Sequence, residues 1–351
     1  MTEKILITGN LGYIGPVLTS HLRTRYPNLF LAGFDNAYFS HHHNNPLHPP
    51  QKGLNCQWFG DVRNLKDDLI KQFDSIVHLA AISNDPIGAK FEQVTDEINH
   101  LATVSLCERA MKLGLKNFVF ASSCSVYGQG EGAVKKEGDA LNPLTAYAKS
   151  KIAAEAGLKK IPLSDNQKIT CLRFSTACGA SDHIRLDLVL NDFVACALTQ
   201  RNISILSDGS PWRPLINVKD MSRAIEWALT RSAVIESNYL SVNIGSKQWH
   251  YQVHDLANAV AKTIPGTVIS INPNAQPDKR SYQVDFSLFE SLAPDHQPIN
   301  TLEKTIAELL ELLQLINFNN QDFRHSNFIR LKVLNDHLTN NRLNEKLEWK
   351  I

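Results

Sequence analysis

Lys4-Ile5-Leu6-Ile7-Thr8-Gly9-Asn10-Leu11-Gly12-Tyr13-Ile14-Gly15 starts as a strand-length apolar run, breaks at a glycine and opens onto a helix pattern over 14–26. Its glycines are spaced G-x-x-G-x-x-G, with the first gap one residue longer than in the common dinucleotide fingerprint. The physical logic is unchanged. Glycines let the backbone turn tightly and come close to a pyrophosphate, whose charge rests at a helix N-terminus. In a strand–turn–helix setting, Gly9, Gly12, Tyr13, Ile14 and Gly15 read as the phosphate-facing turn of a dinucleotide site.

Outward from that turn the chain alternates. Continuous apolar runs at 4–8, 29–34, 55–59, 75–80, 117–121 and 169–174 read as buried parallel strands. Helix-like stretches at 14–26, 65–72, 93–113 and 145–160 separate them. This rhythm predicts an α/β fold, a Rossmann-type doubly wound parallel sheet spanning 1–174. From 175 to 351 the pattern is mixed, with helices at 186–200 and 219–231, short strands at 203–206 and 239–244, and helical apolar spacing after Thr301. It reads as a smaller mixed α/β substrate domain, with segments near 215–245 able to return to the first.

Asp35 ends the second strand, about 20 residues past the last glycine. A carboxylate there accepts hydrogen bonds from the adenosine ribose hydroxyls and repels a 2′-phosphate, so NAD is expected rather than NADP. Asp61 and Val62 follow the third strand, placed to meet the adenine. Ala80 and Ala81 end the fourth, where small side chains let backbone approach a cofactor.

Tyr147-Ala148-Lys149-Ser150-Lys151 is Y-x-x-x-K on a predicted helix, and residues four apart share a face. A phenol with a pKa near ~10 is a poor base at neutral pH. A lysine ammonium one turn away, with the positive nicotinamide ring, favours the phenolate and lets Tyr147 move a hydroxyl proton while a hydride is exchanged. The turn Ser122-Ser123-Cys124-Ser125-Val126-Tyr127-Gly128 follows the fifth strand.

With the glycine pattern, Asp35, His78-Leu79-Ala80-Ala81, Asn99, the Ser-Val-Tyr-Gly turn and Tyr147/Lys151 together, the chain resembles the extended short-chain dehydrogenase/reductases, the NAD-dependent nucleotide-sugar epimerase/dehydratase group. The resemblance runs over nearly the whole chain. It implies Ser123 as the hydroxyl bonded to the reacting sugar oxygen, and Asn99 among the cofactor residues. Asp208-Gly209-Ser210-Pro211-Trp212-Arg213-Pro214 looks like the segment that holds a nucleotide diphosphate, with Arg213 as its arginine fork. Asn191 matches a diphosphate-contacting asparagine, Arg280 a second clamp, and Ser83 falls in a segment lining the sugar pocket. Two positions depart from the pattern: Asn217 stands where many members have His, and Gln276 where some epimerases have Arg.

The same resemblance orders the reactions. Dehydratases of the group place an acid just after the catalytic hydroxyl, and Cys124 and Ser125 are no such acid. Ketoreductases often take NADPH, which Asp35 disfavours. A 4-epimerase acting on a nucleotide sugar by transient oxidation at C4 is therefore expected, with a 4-keto-sugar reductase next, and a homodimer formed through the helices at 93–113 and 145–160.

Composition sets the remaining bounds. A formal charge of +1 on 351 residues gives no basic face, so no nucleic-acid partner is expected. No apolar run is long enough to span a bilayer, and the first strand begins too early for a secretory leader, so a cytosolic protein is expected. The six cysteines form no C-x-x-C pair and read as buried free thiols. His41, His42, His43 and His48 lie in an Asn/Pro-rich stretch without ligand spacing, a loop rather than a metal site.

Overall fold

The computed structural model describes residues 3–40, 52–128, 134–205, 207–232, 237–271 and 281–350. The His41–His48 stretch, Arg280 and Gln276 lie outside these residues.

In the first half, β1 (Lys4–Thr8), α1 (Gly15–Arg25), β2 (Phe30–Asp35), β3 (Cys56–Phe59), α2 (Asp67–Ile70), β4 (Ser75–His78), α3 (Asp85–Lys90), α4 (Glu92–Asp96), α5 (Thr103–Lys112), β5 (Asn117–Ser123), β6 (Val134–Lys135), α6 (Ala146–Leu158) and β7 (Lys168–Phe174) follow one another. The second half adds β8 (Thr176–Cys178), α7 (Val189–Gln200), β9 (Asn202–Ile205), β10 (Trp212–Asn217), α8 (Val218–Thr230) and β11 (Tyr239–Ile244). It ends in β12 (His250–Gln252), α9 (Val253–Thr263), β13 (Val268–Ile271), β14 (Gln283–Val284), α10 (Ser287–Leu292), α11 (Leu302–Leu315) and α12 (Arg330–Thr339).

Seven strands form one sheet in the order β11-β7-β5-β4-β1-β2-β3, and each neighbouring pair is parallel. Alternate side chains explain why helices must cover both faces. Leu6, Ile76, Phe118 and Phe120 face one layer with Leu106, Ala154 and Leu158. Ile5, Ile7, Val77 and Val119 face the other with Leu18, Leu22, Ala224 and Ile225. Each of the Leu, Ile, Val and Phe side chains among them contributes roughly 1.5–3 kcal/mol when removed from water. Strand order reverses between β1 and β4, which opens a crevice at the carboxyl ends of the strands. The turns after β1, β2, β4 and β5 all point into it.

The helix expected over 93–113 runs without interruption through α4, a wide turn at Glu97–Ala102 and α5, the backbone staying helical at every junction. That turn buries Asn99, whose Oδ1 accepts from Ile82 N at 2.8 Å and whose Nδ2 donates to Ile82 O at 2.9 Å. Thr145 starts α6 by accepting from Ala148 N at 3.2 Å.

The second half packs α7, α9 and α11 around Leu190, Phe193, Leu256, Leu309 and Leu313. Two of its elements join the first half: β11 extends the large sheet, and α8 packs on α1 over that sheet. The tail also crosses back, because Leu334, Leu343 and Leu347 are buried in the layer that holds Phe34, Tyr38 and Val62. Among the described residues, no helix is long and apolar enough to cross a membrane. Five of the six free cysteines are buried and Cys56 is partly so.

Candidate active site

A cleft of ≈ 830 Å³ runs along the carboxyl ends of the strands. Gly9, Gly12, Tyr13, Ile14, Asp35, Asp61, Val62, Ala80, Ala81, Ser83, Ser123, Tyr147, Lys151 and Arg213 all line it. Gly15, Asn99 and Asn191 do not.

At the glycine turn, Gly9 has φ +74°, and a Cβ there would fall 2.5 Å from Ala80 N. The positive φ and the contact with the backbone just past β4 each demand glycine. Gly15 is needed for packing behind the cleft, since its Cβ would fall 1.9 Å from Asn10 O. Asp35 braces this turn: Oδ2 accepts from Leu11 N at 3.0 Å and Oδ1 from Ala37 N at 2.7 Å. Burial pushes its carboxyl up, against those two N–H donors. A carboxylate has lone pairs left for ribose hydroxyls. Asp61 is held by Arg63, whose Nη2 donates to Oδ2 at 2.6 Å.

Tyr13 lines the cleft with its ring, while its hydroxyl turns inward and donates to Gly179 O at 2.5 Å. Asn191 belongs to that buried knot: Oδ1 accepts from Gly179 N at 3.0 Å, and Nδ2 donates to Arg185 O at 2.9 Å. Its polar atoms are thus spent inside the protein, and its neighbour Asp192 reaches the cleft in its place. Asn99 likewise spends its amide on Ile82 and Ser150. Both amides are buried and bonded within the protein, Asn99 beside the loop after β4 and Asn191 at Gly179. Asn217, the first departure noted in the sequence, is buried as well. It starts α8 by accepting from Lys219 N at 2.8 Å and donates to Thr305 at 2.8 Å.

At the other end of the cleft, β5 delivers Ser123 and α6 delivers Tyr147 and Lys151. Tyr147 hydrogen-bonds Ser123, and burial pushes its phenol up to about 12 despite the opposing pull of Arg185. Lys151 Nζ donates to Ala121 O at 2.8 Å and lies 5.7 Å from the Tyr147 ring centre. Burial holds its ammonium down to about 7, while Glu155 pulls the other way. Glu155 is fixed one turn further along α6 by a buried pair with Arg173, whose Nη2 donates at 2.7 Å. Ser122 adds a 2.5 Å hydrogen bond to the same carboxylate. Cys124 sits beneath this set, fully buried, with its thiol on Arg173 O. Burial pushes that thiol far up.

Sequence reading missed a group of charges over the cleft. Arg185 and Asp187 pair through two contacts at 3.0 and 2.8 Å. Burial alone would raise the Asp187 carboxyl, but Arg185 wins and holds it at about 2. Arg185 Nη2 also donates to Ser83 O at 3.0 Å, and Asn84 donates to Asp187 at 2.6 Å. Arg324 pairs with Asp192, and Arg330 reaches Ser83. Charged residues interrupting the apolar run at 184–193 were a usable signal for Arg185 and Asp187. Nothing local marks Arg324 or Arg330.

A glycine turn, a carboxylate at the end of β2 and a serine–tyrosine–lysine set share one cleft at the carboxyl ends of a Rossmann-type sheet, the arrangement of a dinucleotide-dependent enzyme class. The family model of the NAD dependent epimerase/dehydratase family matches residues 5–245. The chain belongs to that family, whose cofactor is NAD. It is 29% identical over 253 residues to the uncharacterised UDP-glucose epimerase YtcB of Bacillus subtilis, covering 70% of this chain and 77% of that one. It is 24% identical over 304 residues to UDP-glucuronic acid decarboxylase 4 of Arabidopsis thaliana, covering 82% of this chain and 64% of that one. The solved structure of MoeE5 with UDP-glucose and NAD shares the fold, with a TM-score of 0.73, 24% identity and coverage of 89% and 99%.

NAD fits the residues present. Asp35, Gly12 and Ala80 provide the carboxylate, the cradle and the close backbone approach that a dinucleotide requires.

Proposed function

We propose that the protein is a nucleotide-sugar 4-epimerase that works by transient oxidation at sugar C4. The observation that carries the reading is the Ser123/Tyr147/Lys151 set in a cleft where Cys124, the place for a dehydratase acid, is sealed away from substrate. Similarity to a relative named as a UDP-glucose epimerase supports it.

Bound NAD supplies a hydride acceptor that later returns the hydride. Tyr147 Oη takes the proton of the 4-hydroxyl and gives it back after the 4-keto sugar has turned. Ser123 Oγ holds the same oxygen, and Lys151 with Arg185 stabilises the phenolate. Arg213, on β10 at the cleft wall, suits the substrate diphosphate about which the sugar rotates. Arg280 is kept as a second diphosphate contact in this proposal. We infer further that the protein pairs through the helices around α5 and α6, where Leu101 and Leu113 remain exposed.

One observation favours a second reading, a dehydratase. Asp85 lines the catalytic end, and its charge acts on Tyr147.

The test is incubation with UDP-, dTDP-, GDP- and CDP-hexoses, followed by chromatography of the sugars. A C4 epimer of at least one, without added NADH and without net change in NADH absorbance, is expected. A 4-keto-deoxy product that Asp85→Asn abolishes would establish the dehydratase. Stoichiometric consumption of NADH or NADPH with a 4-keto sugar, and no isomerisation, would establish a ketoreductase.

A further inference from the structure

We propose that Arg330 is a pyrophosphate-binding residue of the NAD site, carried to the glycine turn by a C-terminal strap that lies outside the family-matched region.

The starting point is where its guanidinium sits. A Cβ placed on Gly12 would lie 3.7 Å from Arg330 Nη2. Gly12 is the middle glycine of the turn whose open backbone receives a diphosphate. Arg330 therefore stands over the cradle itself and lines the same cleft. Nη1 donates to Ser83 Oγ at 3.1 Å, and the planar group rests 4.7 Å from the Phe39 ring centre. Phe39 lies past β2 and Ser83 past β4, on either side of the turn.

The electrostatics leave this cation short of anions. Among the described residues it makes no ion pair: Asp187 is held by Arg185, and Asp35 is braced on backbone N–H groups. Burial and the nearby Arg185 pull the Arg330 guanidinium down to about 9, against the weaker pulls of Asp187 and Asp35. A buried guanidinium without a carboxylate partner is costly. A diphosphate at Gly12 would supply two charges and the oxygens that a guanidinium fork matches.

The strap explains how a residue so late in the chain reaches the first glycine turn. Arg330 opens α12, and the chain beyond clasps the adenosine side of the cleft. Trp349 Nε1 donates to Asn36 O at 2.7 Å, Arg63 Nη1 to Lys346 O at 3.0 Å, and Tyr38 OH to Leu347 O. His337 Nε2 lies 3.0 Å from Tyr38 O. Leu334, Leu343 and Leu347 bury themselves beside Phe34 and Tyr38. The strap holds Arg330 in place before the cofactor arrives, so little side-chain entropy remains to be lost on binding.

The proposal rests on NAD as cofactor and not on the 4-epimerase reading, so its test needs no sugar. The full chain and its Arg330→Gln variant are titrated calorimetrically with adenosine, ADP-ribose and 2′,5′-ADP. ADP-ribose should weaken roughly tenfold to a hundredfold in the variant, as for loss of a charge-assisted contact. Adenosine should bind as before. Equal losses for adenosine and ADP-ribose would make Arg330 a purely structural post, and no loss for either would also overturn the proposal. A loss confined to 2′,5′-ADP would place the guanidinium at a ribose 2′-phosphate instead. Should Arg330→Gln not fold, the Arg330 Nε–H resonance of the unmodified chain, assigned with Arg330→Lys, decides. It should shift with ADP-ribose and not with adenosine, and the absence of that difference would refute the assignment.

Discussion

Lys151→Met tests how the cleft treats a buried ammonium. The lysine is buried, and its pKa falls from 10.5 in water to about 7 in the fold. Between those values the unfolded chain holds a proton that the folded chain releases, so stability rises with pH from about 7 to about 10 and is flat above. At ~1.4 kcal/mol per unit, the penalty at neutral pH is about 3–5 kcal/mol. Methionine keeps the length of the stem and removes the charge, at a cost of ~1 kcal/mol for the lost bond to Ala121 O. The variant should therefore be more stable than the parent by about 2–4 kcal/mol at pH 7, and the advantage should shrink by ~1.4 kcal/mol per pH unit up to pH 10. Urea unfolding without added nucleotide, followed by far-UV circular dichroism at pH 7, 8, 9 and 10, measures it. A gap that does not narrow with pH would refute the reasoning, because the lysine would then carry its proton equally in both states.

Tyr147→Phe keeps the ring and deletes the proton carrier; turnover should fall by roughly two to four orders of magnitude, with NAD affinity by calorimetry little changed. Asp35→Ala removes the anion that would face a 2′-phosphate, so the ratio of NADP to NAD dissociation constants should move toward one. Asn99→Ala leaves the Ile82 N–H and C=O unpaired and should cost about 1–3 kcal/mol in urea unfolding. A loss of NAD binding with no loss of stability would instead make Asn99 a direct cofactor contact.

Much of this site is written locally, and the rest is written only in the fold. That Gly9, Gly12 and Asp35 meet in one cleft was legible because a dinucleotide site needs glycine and carboxylate at fixed distances along one strand–turn–helix unit. Tyr147 and Lys151 were legible because one helical turn sets their spacing. Asn99 is read from motif position as a cofactor residue and Asn191 as a diphosphate contact; motif position does not tell that the amides also bond to Ile82 and to Gly179, which only the packing shows. The helix expected over 93–113 is present, but the wide turn that carries Asn99 inside it is not legible, since apolar periodicity does not register one wide turn. Arg330 was invisible for a different reason. It lies 247 residues from the serine it touches, and its surroundings read only as an amphipathic tail.

The charges around Tyr147 divide their work. A lysine with a pKa near 7 is only half protonated at neutral pH and is neutral by the time a phenol near 12 ionises. Lys151 by itself therefore gives Tyr147 little standing field. Arg185 keeps its charge throughout this range and acts directly on Tyr147. It is pinned by Asp187 and by Ser83 O, so its position does not depend on substrate. Under the proposed chemistry, Arg185 supplies the constant part of the field that makes a phenolate reachable. Lys151, bonded to Ala121 O, supplies a part that strengthens when it takes up a proton. On that proposal the Y-x-x-x-K spacing marks where the proton would move, while the fixed cation that would help to move it comes from the loop before α7.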